Sequence, residues 1–491
     1  MDLFFTKYLP FLYFIFSSLL FNKIHSEIIV NNEISRRYGH TATYIYSLNK
    51  IYCIGGKTEQ GAIVSDVLSL DLASSLTIES ADFENLTVSG NVIPSLAWAA
   101  SAANKTHLFL YGGIKYDQMQ NIYEMNSDIY ALNVEGYQWT TLNISGSNKN
   151  KIQQRRGISM VLDSSNRLYI FGGSTDTNDS QNLTAIADNN MYILHVDSMI
   201  LNLVSPNSYL LPPNRYDYSA TLLDIYIVYV GGKTEAGSFI GMDEIWMFDT
   251  NNSQWKHASA NNSQNVPNRA GHTAVKLNNG PNKILIYGGY NTNSTEITNN
   301  NAIVILNTLD FTSFTWSIPT ITFQDPYLQN LSIPYWHAAI TYGNYMIVTF
   351  GKLPPDALSR LPSNNTYPPL LLLNATKENN MQWMTSTGGQ PLPFAPPDNS
   401  IGNPAKNQTT NGTNSVDQQQ YDNTAAKTII GAIIGGVLCV ALLLFLLFKV
   451  HSRAIDRKEE EKDEAQPNIT LQQQTVHYPA IRFISSPPGY S

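Results

Sequence analysis

Between residues 33 and 386 the chain repeats one pattern of apolar and polar positions six times. Each copy opens on an alternating segment, often with Arg just before it: RRYGHTATYIY, SLAWAASA, RRGISMVLD, RYDYSATLL, RAGHTAVKL and YWHAAITY. A short, continuous apolar run ending in a glycine pair follows: IYCIGG, LFLYGG, LYIFGG, VYVGG and ILIYGG, with MIVTFGK as a worn sixth copy. After a polar loop of variable length comes a third run: DVLSLDL, DIYALNV, NMYILHV, EIWMFDT, AIVILNT and LLLLNAT. Four copies close on Trp139, Trp255, Trp316 and Trp383. The first glycines Gly55, Gly112, Gly172, Gly231 and Gly288 keep a nearly constant spacing. Alternation predicts a half-buried strand, and an uninterrupted apolar run predicts a strand covered on both faces. Each copy therefore predicts four short strands. One such sheet buries little alone, so the copies must pack against one another. The expected units lie near 33–90, 91–148, 149–206, 207–262, 263–320 and 321–386. How the ring closes is open; Glu27–Val30 could add an outer strand to the last unit.

The ends read differently. Residues 1–26 hold Lys7 and then the apolar run Tyr8 to Phe21, the length of a signal-peptide core, with cleavage expected near Ser26. Residues 428–448, TIIGAIIGGVLCVALLLFLLF, form an uncharged stretch long enough to cross a bilayer as one helix. Lys449, Arg453, Arg457 and Lys458 follow it, which predicts a cytoplasmic C-terminus. The expected organisation is a signal peptide at 1–26, a repeat ectodomain at 27–386 and a disordered stalk at 387–427. A transmembrane helix at 428–448 and a cytoplasmic tail at 449–491 complete a single-pass type I protein of the plasma membrane or endomembranes. Sequons agree with this topology. They start at Asn85, Asn104, Asn143, Asn178, Asn182, Asn251, Asn261, Asn293, Asn330, Asn364, Asn374, Asn407 and Asn411, while Asn468 falls in the cytoplasmic tail.

The repeats resemble the kelch-repeat family. The resemblance rests on Arg37–His40 and Arg269-Ala270-Gly271-His272, on the Tyr-x-x-Gly-Gly core and on the closing Trp. It covers roughly residues 33–386. Copy six lacks the second glycine, and copies one and three lack the late Trp. It implies an all-β fold, most simply a six-bladed β-propeller.

Composition narrows the chemistry. Charged residues make up 14% of the chain, low against the roughly 25% usual in globular proteins, so a disordered polyelectrolyte is excluded as the main body. The net charge of −8 argues against nucleic acid as partner. Two cysteines, Cys53 and Cys439, give no disulfide scaffold and no cysteine zinc site. Some kelch-like propellers are copper radical oxidases, and that resemblance would bring two His, two Tyr and a Cys cross-linked to Tyr. Here Cys53 sits in the apolar run IYCIGG, which predicts a buried thiol, and His40 and His272 stand where the family uses His structurally. His107, His195, His257 and His337 show no metal-ligand spacing. The sequence therefore favours a non-catalytic protein without cofactor or metal. The alternative is a membrane-tethered oxidase or hydrolase on the same scaffold.

The expected binding surface is the rim where the innermost strands begin. Arg36, Arg37, Arg155, Arg156, Arg215 and Arg269 recur there, and Trp98 and Trp336 take the place in copies two and six. Fork-shaped cations beside aromatics suit carboxylates, acidic peptides or charged sugars. The expected partner is an extracellular protein or glycan, in adhesion, sensing or scaffolding. Gly431 and Gly435 in the span have the spacing of a helix-dimerisation face, giving a possible homodimer. Pro487, Pro488 and Tyr490 match the Pro-Pro-x-Tyr ligand of WW domains, which implies a WW-domain ubiquitin ligase at the tail.

Overall fold

The computed structural model describes residues 34–392, apart from residues 92, 118, 147–151, 178–184, 186, 205–209, 281, 292–296, 356 and 358–366. The regular structure there is strand, with three short 3-10 turns among the described residues. No helix among these residues is long and apolar enough to cross a membrane. The signal peptide, the span 428–448 with Gly431 and Gly435, the tail with Pro487, Pro488 and Tyr490, and Glu27–Val30 lie outside the described residues.

Each copy of the repeat supplies four antiparallel strands in chain order, and parallel pairing joins copies four and five into one sheet. In unit 1 the strands are Thr41–Ile45, Lys50–Ile54, Val67–Asp71 and Phe83–Asn85. Units 2 to 6 run from Ala97–Ala103 to Gln138–Thr141, Met160–Leu162 to Ile200–Val204, Ser219–Leu223 to Gln254–Asn261, Thr273–Lys276 to Phe314–Ser317, and Ala338–Tyr342 to Asn380–Met384. The first strands of successive units lie side by side, and the sixth lies beside the first. This all-β ring is consistent with a β-propeller. The apolar second and third strands are buried on both faces, as in Lys50–Ile54 and Val67–Asp71, because neighbouring units sandwich them.

The units are stapled by aromatic residues on the outer strands. Trp255 of unit 4 packs on Phe171 of unit 3 at 4.7 Å, and Trp383 of unit 6 packs on Tyr287 of unit 5 at 5.0 Å. Unit 1 lacks the Trp, and Phe83 takes the place, stacking on Phe350 of unit 6 at 5.3 Å. In each case the ring covers the residue just before the glycine pair, not the glycines. The first glycine of a pair faces the next unit instead. A Cβ at Gly112, whose φ is +77, would lie 2.4 Å from the Arg155 carbonyl oxygen.

The links between units protect the sheet edges. The segment entering a unit lies parallel to that unit's outer strand: Ser89–Gly90 on Gln138–Trp139, Ala260–Asn261 on Phe314–Thr315, and Thr320–Phe323 on Asn380–Trp383. A different pairing closes the ring. Strand Ser386–Pro391 leaves unit 6 and pairs antiparallel with Ser75–Thr77 of unit 1, and Leu392 is buried beyond it. The stalk was expected from 387; its first residues instead form this closing strand. Thr387 and Ser386 are polar because the pairing is made through backbone and hydroxyl groups, such as the Leu76 amide donating to Thr387 Oγ1.

Candidate functional site

One face of the ring carries the connections between second and third strands. It also carries the residues that lead into each first strand. At that entry, residues 54 to 65 positions apart in the sequence meet in a circle: Gly39, Trp98, Gly157, Asp217, Gly271 and Trp336. Each amide donates to the carbonyl of the preceding member, at 2.6 to 3.1 Å, and Gly39 closes the circle by donating to Trp336 at 2.8 Å. All six adopt left-handed backbone conformations, including Trp98 (φ 57), Asp217 (φ 53) and Trp336 (φ 50). For a tryptophan that conformation costs about 1–2 kcal/mol. The alternation of glycine and large side chain is a space-filling rule. A Cβ on Gly39 would meet the Trp98 ring at 3.1 Å, and one on Gly157 would meet Asp217 Oδ1 at 2.6 Å.

The large members cap a central cavity of about 230 Å³, lined by the first strands of all six units, with Ala42, Ser101, Ala220, Ala274 and Ala339 on its wall. The cap is aromatic and cationic. Trp98 and Trp336 meet edge to face at 5.3 Å, and Tyr38 stacks on Trp336. Arg156 lies over the Trp98 ring at 4.3 Å. A Lys follows the glycine pair in units 1 and 4 and the single Gly351 in unit 6. Lys57 Nζ donates to Tyr123 OH at 3.0 Å, Lys233 lies over Phe239 at 4.8 Å, and Lys352 lies over Tyr38 at 4.8 Å. Asp217 is the carboxylate of the circle. It accepts from Trp336 Nε1 at 2.8 Å and from Tyr290 OH at 3.1 Å. Burial raises its pKa, opposed by Arg156, the two hydrogen bonds and Lys233. Burial lowers the Lys233 pKa, opposed by Asp217.

Above the cap lies a half-exposed apolar surface. Ile63, Tyr123, Met125, Phe239 and Tyr335 pack on it from units 1, 2, 4 and 6. Unit 2 contributes a hairpin: the strand His107–Asp117 runs past its glycine pair and returns as Ile122–Met125. One face of this hairpin, Ile114, Met125, Tyr116 and Tyr123, is apolar; the other carries the ion pair of Lys115 with Glu124. Met119 at its tip is fully exposed.

The expected arginine rim takes a different form. Arg37, Arg155, Arg156, Arg215 and Arg269 are buried, so their guanidinium groups are not presented to solvent. Four of them make one conserved gesture within their own unit. Nη1 donates to the carbonyl of the first glycine: Arg37 to Gly55, Arg155 to Gly172, Arg215 to Gly231 and Arg269 to Gly288. Nε donates to the carbonyl two residues back, on Ser35, Gln153, Pro213 and Pro267. Arg37 adds a two-pronged bond to Asp66, and Arg155 an ion pair with Asp188 at 3.5 Å. Burial pushes the Arg215 pKa down to about 10, opposed by Tyr218, Glu244 and Tyr229, and that of Arg269 to about 9. The Arg36 guanidinium nitrogens are buried as well, beside Glu59 at 3.3 Å and over Tyr367, and burial lowers the Arg36 pKa. Trp98 and Trp336 are brought together, but in the cap.

The histidines of the repeat start join units. His40 Nε2 bonds Thr349 Oγ1 at 2.8 Å, His272 bonds Ser219 at 3.0 Å, and His337 bonds Thr273 at 2.8 Å. Burial depresses all three, His337 to about 3, so they are neutral. Cys53 is buried and its thiol is pushed up to about 12. Among the described residues no group of three or more His, Cys, Asp or Glu could hold a metal ion. Of the sequons, Asn85, Asn143, Asn251, Asn261 and Asn330 are exposed, and Asn104 and Asn374 are half-buried. Asn178, Asn182, Asn293, Asn364, Asn407 and Asn411 lie outside the described residues.

Sequence reading missed the three lysines, although Lys57 and Lys233 are visible after a glycine pair and Lys352 after Gly351. It also missed Asp217, visible as the one acid at the circle position. The hairpin left only a faint signal, an apolar and polar alternation continuing past Gly113.

Comparison with known proteins agrees with this geometry. Over 223 residues, 43% of this chain, the sequence is 28% identical to tip elongation aberrant protein 1 of Schizosaccharomyces pombe. The matched part is 17% of that protein, so the chain spans about a sixth of the relative's length. A family described as the KLHDC2/KLHL20/DRC7 Kelch-repeats domain matches residues 14–232 and 118–351. Together these matches cover most of the chain, and with six copies of one strand order joined in a ring, the chain belongs to the kelch-repeat family.

Proposed function

We propose that this chain is a non-catalytic, six-bladed propeller displayed on a membrane as a single-pass type I protein, where it binds a protein through the loop-bearing face. The observation that carries the reading is the half-exposed patch of Ile63, Tyr123, Met125, Phe239 and Tyr335 over the capped channel. Lys57, Lys233, Lys352 and Arg156 lie beneath or beside it, against one circle carboxylate, Asp217. An apolar surface over a locally positive base suits a protein segment with aromatic or aliphatic anchors and nearby carboxylates. Kelch domains bind proteins in general, which supports a protein over a glycan as partner. The name of the yeast relative concerns tip elongation, but the shared region is a small part of that protein.

The tail would recruit a WW-domain ubiquitin ligase through Pro487, Pro488 and Tyr490, and the span would pair through Gly431 and Gly435. The test of the face uses the full chain in its own membrane, cross-linked to its neighbours. The Phe239→Asp/Tyr335→Asp double variant is expected to lose the cross-linked partner, and Leu309→Asp, on the opposite face, to keep it. Equal capture by both variants sinks the assignment of the face.

A further inference from the structure

The sequons and the apolar patch divide the ring between them. The exposed asparagines Asn85 and Asn261 end outer strands of units 1 and 4, and Asn143 follows the outer strand of unit 2. Asn330 ends the 3-10 turn that links units 5 and 6, and Asn251 lies on a turn of the opposite face. In the sequence, the loops between second and third strands of units 3, 5 and 6 contain Asn178 and Asn182, Asn293, and Asn364. The corresponding loops of units 1, 2 and 4, residues 57–66, 114–128 and 233–243, contain no sequon. Those same three loops supply Ile63, Tyr123, Met125 and Phe239 of the patch. In an Asn-rich chain, the gap falls where the apolar surface lies.

We infer that N-linked glycans on Asn85, Asn143, Asn251, Asn261 and Asn330 cover the circumference and the opposite face, so that a protein partner reaches the ring across the bare loops of units 1, 2 and 4. This rests on the secreted topology proposed above. In the modification, the Asn side-chain nitrogen bonds to C1 of an oligosaccharide carried on a lipid diphosphate. The amide loses one proton, and the lipid diphosphate leaves. Each of the five side chains is exposed, so the sugar projects into solvent without displacing core. A glycan on a patch residue would instead cover the patch.

The experiment takes the full-length chain from its native membrane and maps glycopeptides by mass spectrometry. Sugar on the five asparagines is the expected result. Occupied Asn407 or Asn411 with the five empty overturns the inference and leaves the topology standing, whereas no sugar at any of the thirteen sequons overturns the topology as well. A second arm adds a sequon within the patch by Ile63→Asn, since Ser65 already stands two positions on. Single-domain antibodies raised against the deglycosylated chain then serve as probes. Those blocked by the added sugar are expected to bind the native glycoprotein, and the others to bind at least tenfold better after deglycosylation. Equal binding by both groups before deglycosylation refutes the shielding.

Discussion

Replacing Arg269 separates a buried clamp from a solvent-facing rim. The guanidinium is fully buried and makes four backbone hydrogen bonds: to Pro267 O at 3.2 Å, Gly288 O at 3.2 Å, Ala302 O at 3.1 Å and Asn301 O at 2.8 Å. Ala302 O retains the Gly288 amide as a second donor at 3.0 Å. In Arg269→Ala the carbonyls of Pro267 and Gly288 lose the donor described for them. A buried carbonyl left without a partner costs about 1–3 kcal/mol. The vacated volume adds a further penalty, and release from burying a charge offsets part of the total. The expected loss is about 3–5 kcal/mol, a large share of the roughly 5–15 kcal/mol that holds a domain folded. Arg269→Met keeps most of the volume without the donors and should lose about 2–4 kcal/mol. Arg36→Ala removes one ion pair with Glu59 and a ring contact with Tyr367 and should cost about 1 kcal/mol, less than Arg269→Ala. The assay is urea-dependent pulse proteolysis of the full chain in detergent, read as a shift of midpoint. Arg269→Met or Arg269→Ala within about 0.5 kcal/mol of wild type would refute the clamp. The same logic expects simultaneous replacement of Arg156, Arg215 and Arg269 to unfold the ring, so lost binding in such a variant would say nothing about contact with a ligand.

Three further outcomes follow from the same structure. Gly157→Ala places a Cβ 2.6 Å from Asp217 Oδ1 at a φ of +61 and should cost about 2–4 kcal/mol, whereas Gly388→Ala, with φ +68 and open space, should cost about 1 kcal/mol; thermal melts of the two would show no difference if the circle were not tightly packed. His40, His272 and His337 have folded-state pKa values below the unfolded value, so their contribution is complete above about pH 6.5 and is lost as the pH falls toward 3. Together they should steepen acid destabilisation by up to about 4 kcal/mol per pH unit, and an unchanged slope in His272→Gln would contradict this. Cys53, raised to about 12, should resist alkylation at pH 8 in the native chain and react in denaturant; labelling of the Cys53 peptide in the native state would count against its burial.

The sequence by itself determined the repeat, the strand order and the all-β class. These follow from local rules: alternation, unbroken apolar runs, and glycine where a side chain would collide. It also located the ring-entry positions, because equivalent residues of a repeat occupy equivalent places. Tertiary structure decided what those positions do. Arg37, Arg155, Arg215 and Arg269 read as surface cations, yet each folds back on the carbonyl of its own first glycine, because the next unit seals the side chain from water. Trp98 and Trp336 read as a rim and became a cap, since the glycines at 39 and 271 leave room for their rings. Ring closure through Ser386–Pro391 was hidden in a polar, glycine-bearing stretch with the composition of a linker. Burial and partnership depend on what packs from some sixty residues away, and no local pattern carries that distance.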